Sequence, residues 1–157
     1  MYGSHVFEHI SIFKSQHVFD EIYRVLQQGG IFRLVLPDAE KSIREYVAGN
    51  SDFQLFERRK RTAKQKRGIE YTTFECMRED FLSRNGQVGL LGRDTLAHQN
   101  AWDFATIRAH LERAGFDADR VVNTEFQKSS STDFAFEGTY PSEANEDYRS
   151  LYVEVVK

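Results

Sequence analysis

Two histidines and a glutamate lie close together near the start of the chain, in the segment Ser4-His5-Val6-Phe7-Glu8-His9. Imidazole and carboxylate groups can bind metal ions or transfer protons. His5 and His9 have the spacing that binds zinc on a helix, but the metalloprotease pattern requires a glutamate directly after the first histidine, and Val6 stands there. His5 is also predicted to end a strand. We therefore expect no metal site from this pair.

Two further side chains that could take part in chemistry, His98 and Trp102, lie four residues apart later in the chain. A histidine can act as a general base. The same two side chains can equally be packed in the interior or lie at the rim of a site without a chemical role. Their spacing alone leaves both interpretations open.

The elements that would position the first group form a βαβ pattern. A short strand at residues 1–5 leads into an amphipathic helix from about Lys14 to Leu26, and Gly29-Gly30 end that helix. Residues 31–36 follow as a buried strand, with Pro37 at its end because proline cannot donate to a β-ladder. The predicted buried stripe of the helix has helical spacing and consists of Val18, Ile22, Val25 and Leu26.

The position of this unit matters because ligands of open α/β sheets bind outside the carboxyl ends of the strands. Ser4, His5 and Asp38 would all lie at that edge of the sheet. The crossover between the two parallel strands is expected to be right-handed.

The segments at residues 2–10 and 21–38 resemble the middle of a class I S-adenosylmethionine-dependent methyltransferase. The small-molecule branch of that family reads S-H-V-L-E-H and then R-V-L-K-P-G-G-x-x-R-L-x-V-P-D. This chain has Phe7 for the usual leucine and Gln27-Gln28 for the usual Lys-Pro. Residues 98–116 are similar to the family segment H-x-x-x-[WY]-[DT]-x-x-x-L-x-x-x-L-x-x-A-G-F.

The resemblance implies an α/β chain with a partial Rossmann-like methyltransferase fold, in one domain over residues 1–157. Its four-stranded mixed sheet would have strands near residues 1–5, 31–36, 120–126 and 151–156, in the spatial order first, second, fourth, third, with the last antiparallel. In the family, the glycine-rich cofactor loop and the ribose-binding acid lie upstream of the matched segment. We therefore expect a carboxyl-terminal portion that binds S-adenosylmethionine weakly or not at all by itself.

The resemblance also implies roles for the side chains singled out above. Ser4 and His5 would form the floor of the cofactor pocket, and His98 would be a candidate base. The pocket for the acceptor, an unknown small molecule, would be lined by Glu8, His9, Asp38 and Trp102. Because the sulfonium of the cofactor is already a strong electrophile, such a protein mainly positions the acceptor in line with the methyl group.

Composition limits the other classes of function. A chain of 157 residues can bury about 70% of its unfolded surface around one core. A net charge of −3 argues against general nucleic-acid binding, and the single cysteine, Cys76, excludes an intramolecular disulfide. No apolar run reaches the length of about 20 residues needed to span a bilayer, and no signal-peptide pattern is present. We expect a cytoplasmic protein.

A helical insertion is predicted at about residues 39–92. Asp38 should cap a helix over residues 39–47, with Ile43, Tyr46 and Val47 on its inner face. Two more helices are expected at residues 51–67 and 69–84. The second of these should carry its apolar residues at helical spacing, namely Phe74, Met77, Phe81 and Leu82.

Seven of the ten residues from Arg58 to Arg67 are basic. Such a run is most often a solvated helix face, and it can also attract a phosphate-bearing substrate or an anionic partner. The glycines at 86, 89 and 92 do not have the spacing of a dinucleotide-binding loop, so we interpret that segment as a connecting loop.

The last third of the chain returns to regular structure. Asp103 should cap a helix from Phe104 to Ala114, with Ile107 and Leu111 buried and Gly115 at its end. Residues 121–126 and 151–156 are expected to be strands, and the family resemblance implies that they form an antiparallel hairpin at one edge of the sheet. Residues 127–149 should form an irregular polar connection.

Two functional hypotheses follow, and composition does not separate them. The chain is either part of a methyltransferase or a non-catalytic methyltransferase-like module that acts through protein association. Nucleic-acid binding through residues 58–67 is a weaker third option, for which a salt-dependent affinity would be the sign. An open first strand favours a homo-oligomer. The aromatic residues expected to exceed what the half-sheet can bury are Phe53, Phe56, Phe74 and Phe81.

Overall fold

The computed structural model describes residues 1–82, 98–130 and 146–157. Within these ranges four strands form one open mixed sheet in the order β1-β2-β4-β3. The strands are β1 (Tyr2–Ser4), β2 (Ile31–Pro37), β3 (Val121–Thr124) and β4 (Ser150–Val156). β1 runs parallel to β2, and β4 runs antiparallel to both of its neighbours. The predicted strand order and strand directions are confirmed.

Five α-helices lie within the described part of the chain: α1 (Ile12–Val25), α2 (Ala39–Val47), α3 (Gln54–Arg67), α4 (Thr73–Arg78) and α5 (Phe104–Ala114). Short 3₁₀ turns occupy Phe7–His9 and Ala118–Arg120. None of the helices in these ranges is long and apolar enough to cross a bilayer. The chain is therefore an α/β protein, compatible with a Rossmann-like arrangement.

The hydrophobic core lies between one face of the sheet and the helices α1 and α5. β2 and β4 alternate strictly, so every second side chain points into this core. The core residues of the two strands are Phe32, Leu34, Leu36, Leu151, Val153 and Val155. The side chain of Asp103 accepts a hydrogen bond of 2.7 Å from the amide of Thr106, and Gly115 ends α5 with φ 110°. Ile107 and Leu111 are buried, as predicted.

The buried stripe of α1 matches the predicted one in part, since Ile22 is buried and Val18 and Leu26 pack against the core. The helix begins earlier, after Ser11, and it buries Ser15, Phe19 and Ile22. The predicted member Val25 is 50% exposed. Phe19 fixes the rotation of α1 about its axis through aromatic contacts, since its ring lies 5.8 Å from that of Trp102 and 5.5 Å from that of His110.

The inner face of α2 was also predicted wrongly, although its bounds and its Asp38 cap are confirmed. Ile43, Tyr46 and Val47 are exposed, and Ala39 and Ser42 are the buried positions. The helix is anchored at Asp38 and through the Ser42 hydroxyl, which donates to Asp80. These polar bonds fix its rotation and turn the apolar stripe outward.

The basic run on α3 is only partly the solvated face expected for it. The side chain of Arg59 is 10% exposed and pairs with Asp80 and Glu79. Arg58 pairs with Glu146, and Lys60, Lys64 and Arg67 also have acidic partners. Five of the seven basic side chains are thus compensated locally, which supports a structural role for the run.

The third predicted helix is much shorter than the expected span of residues 69–84. α4 begins at a capping box in which Thr72 and Glu75 satisfy each other's backbone amides. Its buried position is Cys76, whereas Phe74 is 50% exposed. Phe56, expected among the unburied aromatic residues, is fully buried. The predicted loop at residues 86–92 and most of the connection at 127–149 lie outside the described residues.

The opposite face of the sheet carries an ion pair that is fully buried. Arg33 on β2 and Glu154 on β4 are register partners, and their side chains meet at 2.8 Å. Arg33 also donates to the carbonyl oxygens of Lys128 and Glu125, both at 2.9 Å. Glu154 accepts two bonds of 2.8 Å from Ser130. The turn at residues 125–130 therefore closes over the pair and satisfies its remaining polar atoms.

Glu154 should make the stability of the protein depend on pH. Burial would raise the pKa of this carboxyl, but hydrogen bonds from Ser130 and Arg33 hold the pKa below its ordinary value. The folded state then binds fewer protons than the unfolded state, so this contribution is complete above about pH 4.5 and is lost as the pH falls further. Urea unfolding at several pH values in this range should show that the free energy of unfolding falls less with pH for Glu154→Gln than for the native chain. If the free energy of unfolding falls equally with pH in both proteins, Glu154 is not the source of the pH dependence.

Candidate functional site

The candidate site lies at the carboxyl ends of β1 and β2. β1 ends at Ser4, and the amide of His5 donates to the carbonyl of Val35 at 2.8 Å. The backbone of His5 then adopts a positive φ of 51°, which turns the chain out of the sheet. Asp38 follows directly after β2 and caps α2. The βαβ unit therefore places Ser4, His5 and Asp38 at one edge, where the sequence predicted them.

Glu8 is the buried centre of a group of histidines. The residue is 2% exposed, and its Oε1 lies 3.1 Å from Nδ1 of His5 and 3.9 Å from Nε2 of His9. Burial would raise the pKa of the Glu8 carboxyl, but the hydrogen bond from His5 and the nearby imidazoles lower it. Its Oε2 is buried without a hydrogen-bond partner among the described residues.

His98 joins this group from a distant part of the chain. Its Nδ1 lies 3.0 Å from the carbonyl oxygen of Asp80, and its ring centroid lies 5.1 Å from that of His9 in an edge-on arrangement. Because a carbonyl oxygen can only accept, Nδ1 carries the proton, and the neutral ring has its lone pair on Nε2. Glu8, His9 and His98 each offer a ligand atom within 4.8 Å of the others.

Asp80 supports the group and was not anticipated from the sequence. Asp80 is 5% exposed, and its carboxylate accepts hydrogen bonds from Ser42 on α2 and Arg59 on α3. Its carbonyl accepts from His98. The helical insertion therefore determines where His98 lies. An aspartate in a polar stretch after a short helix has no local sequence signal for such a position.

Trp102 lies in the core, next to Glu8 of the histidine group. It is 1% exposed, and its indole nitrogen donates to the carbonyl of Phe7 at 3.1 Å. Its own carbonyl accepts from the amide of Ala39 at 2.9 Å. The space between Glu8, Pro37 and Trp102 is too narrow to hold a ligand. Through its indole and its backbone carbonyl, Trp102 thus connects the segment after β1 to the start of α2.

A cleft of about 430 Å³ opens on the other side of Asp38, between α2 and the ends of β3 and β4. Burial raises the pKa of the Asp38 carboxyl, although the amide of Lys41 donates to it. Lys41 is held in place by the carbonyl oxygens of Asp147 and Ser150, at 2.8 and 3.0 Å. Aromatic side chains of Phe126 and Tyr152 complete the lining. The cleft thus offers a carboxyl group, an ammonium group and aromatic surface.

The structure brings together some of the predicted site residues and separates others. His5, Glu8, His9 and His98 form one group, whereas the sequence analysis considered His98 only together with Trp102. Asp38 lines the cleft, and Trp102 lies in the core. The cleft residues of β3, β4 and the turn after β3 were missed, because polar turn residues carry no sequence signal for a ligand.

Comparison with known proteins gives no assignment. No protein-family model, no curated protein and no solved structure matches the chain.

Proposed function

We propose that the chain is the acceptor-binding portion of an S-adenosylmethionine-dependent methyltransferase that acts on a small molecule. The observation that carries the proposal is the strand order β1-β2-β4-β3, with β4 inserted antiparallel between β2 and β3. This is the order that the resemblance implied for the second half of that fold. The candidate site lies at the carboxyl ends of the parallel strands, where open α/β sheets bind ligands.

The proposed roles follow the geometry of the two regions. The cleft beside Asp38 has the size of a small-molecule pocket, and its mixed polar and aromatic lining suits an acceptor that carries polar groups. His98 lies outside the lining of this cleft and is the candidate base that the resemblance implies, with the lone pair of its neutral form on Nε2. Removing an acceptor proton and orienting the acceptor are the contributions expected of these residues.

The cofactor side of the proposal depends on Ser4 and His5. Nε2 of His5 is buried without a hydrogen-bond partner in the described part of the chain, and Nδ1 donates to Glu8. In its neutral form the ring presents Nε2 as an acceptor at the end of β1, which the ammonium group of a bound S-adenosylmethionine could satisfy. The bound cofactor would supply the activated methyl group.

Calorimetry with S-adenosylmethionine tests this function. The polypeptide translated from the complete natural reading frame should bind the cofactor with micromolar affinity, whereas residues 1–157 alone should bind it weakly or not at all. In the complete polypeptide, His5→Gln should weaken binding about tenfold, and His17→Gln on the exposed side of α1 should leave it unchanged. A folded complete polypeptide that fails to bind the cofactor would refute the proposal.

A second candidate function is a non-catalytic module that acts through protein association. It is favoured by an exposed apolar surface on α2 and α4, formed by Ile43, Tyr46, Val47 and Phe74. The rings of Tyr46 and Phe74 lie 5.8 Å apart, so the surface is continuous. Loss of cofactor binding in the complete polypeptide, together with an assembly that Val47→Glu dissociates, would favour this alternative.

The edge of β1 leads to a separate proposal about assembly. Met1 and His5 bond to β2, so within the described part of the chain the amide of Ser4 lies on the open edge of β1. We expect sedimentation to show a homodimer at micromolar concentration. Ser4→Pro should remove an edge donor and weaken the dimer, whereas Gly3→Ala should not, since its added methyl group would make only ordinary contacts near 3.5 Å with Phe7. A folded monomer would contradict this expectation.

A further inference from the structure

The histidine group described above has the composition of a transition-metal site. Imidazole and carboxylate ligands suit divalent first-row transition metals, and two histidines with one glutamate form a common catalytic set for zinc. The set here is Glu8, His9 and His98. It differs from the pair His5 and His9, which the sequence analysis considered and rejected as a metal site, because His98 comes from another part of the chain.

The geometry is close to that of a bound ion. The three ligand atoms lie within 4.8 Å of one another, so a point at the centre of such a triangle is at most about 2.8 Å from each atom. Zinc bonds to nitrogen and oxygen are about 2.0–2.2 Å long. The side chains must therefore close in by less than about 1 Å, a shift that rotamer adjustment of partly exposed imidazoles can supply.

The buried carboxylate is the second observation. Glu8 is 2% exposed, and its Oε2 has no hydrogen-bond partner among the residues that the structure describes. A buried carboxylate oxygen that is left unsatisfied is costly, and a cation beside it removes that cost. The other oxygen, Oε1, is held by His5, so the carboxylate is oriented before any ion arrives.

The surroundings of His98 are those of a metal ligand. Metal-binding histidines usually donate their second ring nitrogen to a backbone carbonyl or a carboxylate, which fixes the tautomer. His98 makes this bond to the carbonyl oxygen of Asp80 at 3.0 Å. Asp80 is itself held by Ser42 and Arg59. The lone pair of His98 is thus fixed on Nε2, and α2 and α3 hold the segment that carries its hydrogen-bond acceptor.

We propose that Glu8, His9 and His98 bind a divalent transition-metal ion of the zinc type, with His5 orienting the carboxylate. Three protein ligands leave at least one coordination position open, as in catalytic rather than structural zinc sites. That position would accept an oxygen atom of water or of a small oxygen-bearing ligand. The proposal concerns a metal and needs no S-adenosylmethionine, so it stands or falls separately from the proposed function.

The proposal changes the role of His98. A metal on Nε2 occupies the same lone pair that a general base would use, so the two roles are alternatives for this residue. His98 would then hold an ion that activates a bound oxygen. Metal titration decides between the two roles.

The experiment is a titration of untagged, chelator-treated protein with Zn²⁺ by calorimetry. One equivalent should bind with micromolar or tighter affinity. Co²⁺ should give visible absorption bands typical of mixed nitrogen and oxygen ligation. His9→Gln and His98→Gln should each weaken Zn²⁺ binding at least tenfold. His5→Gln should weaken it about tenfold, the lower end of the 10–100-fold range for residues that orient a ligand.

His17→Gln is the matched control, because His17 is an exposed histidine on α1. It should leave the affinity and the Co²⁺ spectrum unchanged. Circular dichroism of each variant without metal separates a lost ligand from a lost fold, and Zn²⁺ should raise the melting temperature of the native chain but not of His98→Gln. The proposal is overturned if the native chain shows no saturable binding, or if His17→Gln reduces it as much as His98→Gln does.

Discussion

Replacing Arg33 with methionine should lower the free energy of unfolding by about 3–5 kcal/mol. Methionine fits the space along β2 but leaves the carboxylate of Glu154 fully buried without its cation. It also removes two donors to the turn at residues 125–130, whose carbonyl oxygens then lose their partners. Urea unfolding followed by circular dichroism measures the loss.

Two control variants show whether the buried charge is the cause. Arg24→Met removes an arginine from an exposed pair with Glu21 on α1, and it should cost less than about 1 kcal/mol. The double change of Arg33→Met and Glu154→Leu removes both charges, so it should recover much of the lost stability. If the double variant is as unstable as Arg33→Met, the hydrogen bonds to the turn dominate rather than the unpaired charge.

Replacing Trp102 with alanine should destabilise the fold by a similar amount, about 3–5 kcal/mol. The indole is 1% exposed, and it packs edge-on against Phe19 and His110 at ring distances of 5.8 and 5.2 Å. Its loss leaves a cavity between α1 and α5 that these rigid neighbours fill only in part. Unfolding must be followed by circular dichroism, because Trp102 is the single tryptophan.

Trp102→Phe separates the packing from the hydrogen bond. The phenyl ring retains most of the apolar contacts but removes the indole donor to the carbonyl of Phe7, which keeps a bond of 3.2 Å from the amide of Ile10, so the change should cost about 0.5–1.5 kcal/mol. The phenylalanine variant should therefore lie between the native chain and the alanine variant. An alanine variant with native stability would mean that Trp102 is not a core residue.

The sequence predicted those parts of the fold in which local signals and tertiary contacts agree. α5 has its cap at Asp103, its buried stripe and its terminal Gly115 within a dozen residues, and all three are confirmed. The order of the strands followed from the family resemblance. The end of β1 and the end of β2 could be placed because the βαβ pattern fixes which edge carries the loops.

Rotation of helices and burial of charges could not be predicted in this way. α2 has a clear apolar stripe, yet the bonds of Asp38 and Ser42 turn that stripe outward. Arg33 interrupts an apolar strand, and nothing near it in the sequence indicates that Glu154 lies opposite. The contact of His98 with Asp80 and His9 likewise joins segments whose separation hides it from any local pattern.

The position of β4 has a consequence for synthesis on the ribosome. β2 pairs with β4 from Ile31–Val156 to Pro37–Ser150, so its second edge finds its partner only when nearly the whole described chain has been made. Until then, a strand rich in Ile, Phe, Leu and Val presents open backbone groups. A charge in the middle of such a strand discourages pairing with other nascent chains. We expect Arg33 to disfavour such pairing of β2 during translation, before it becomes the buried partner of Glu154.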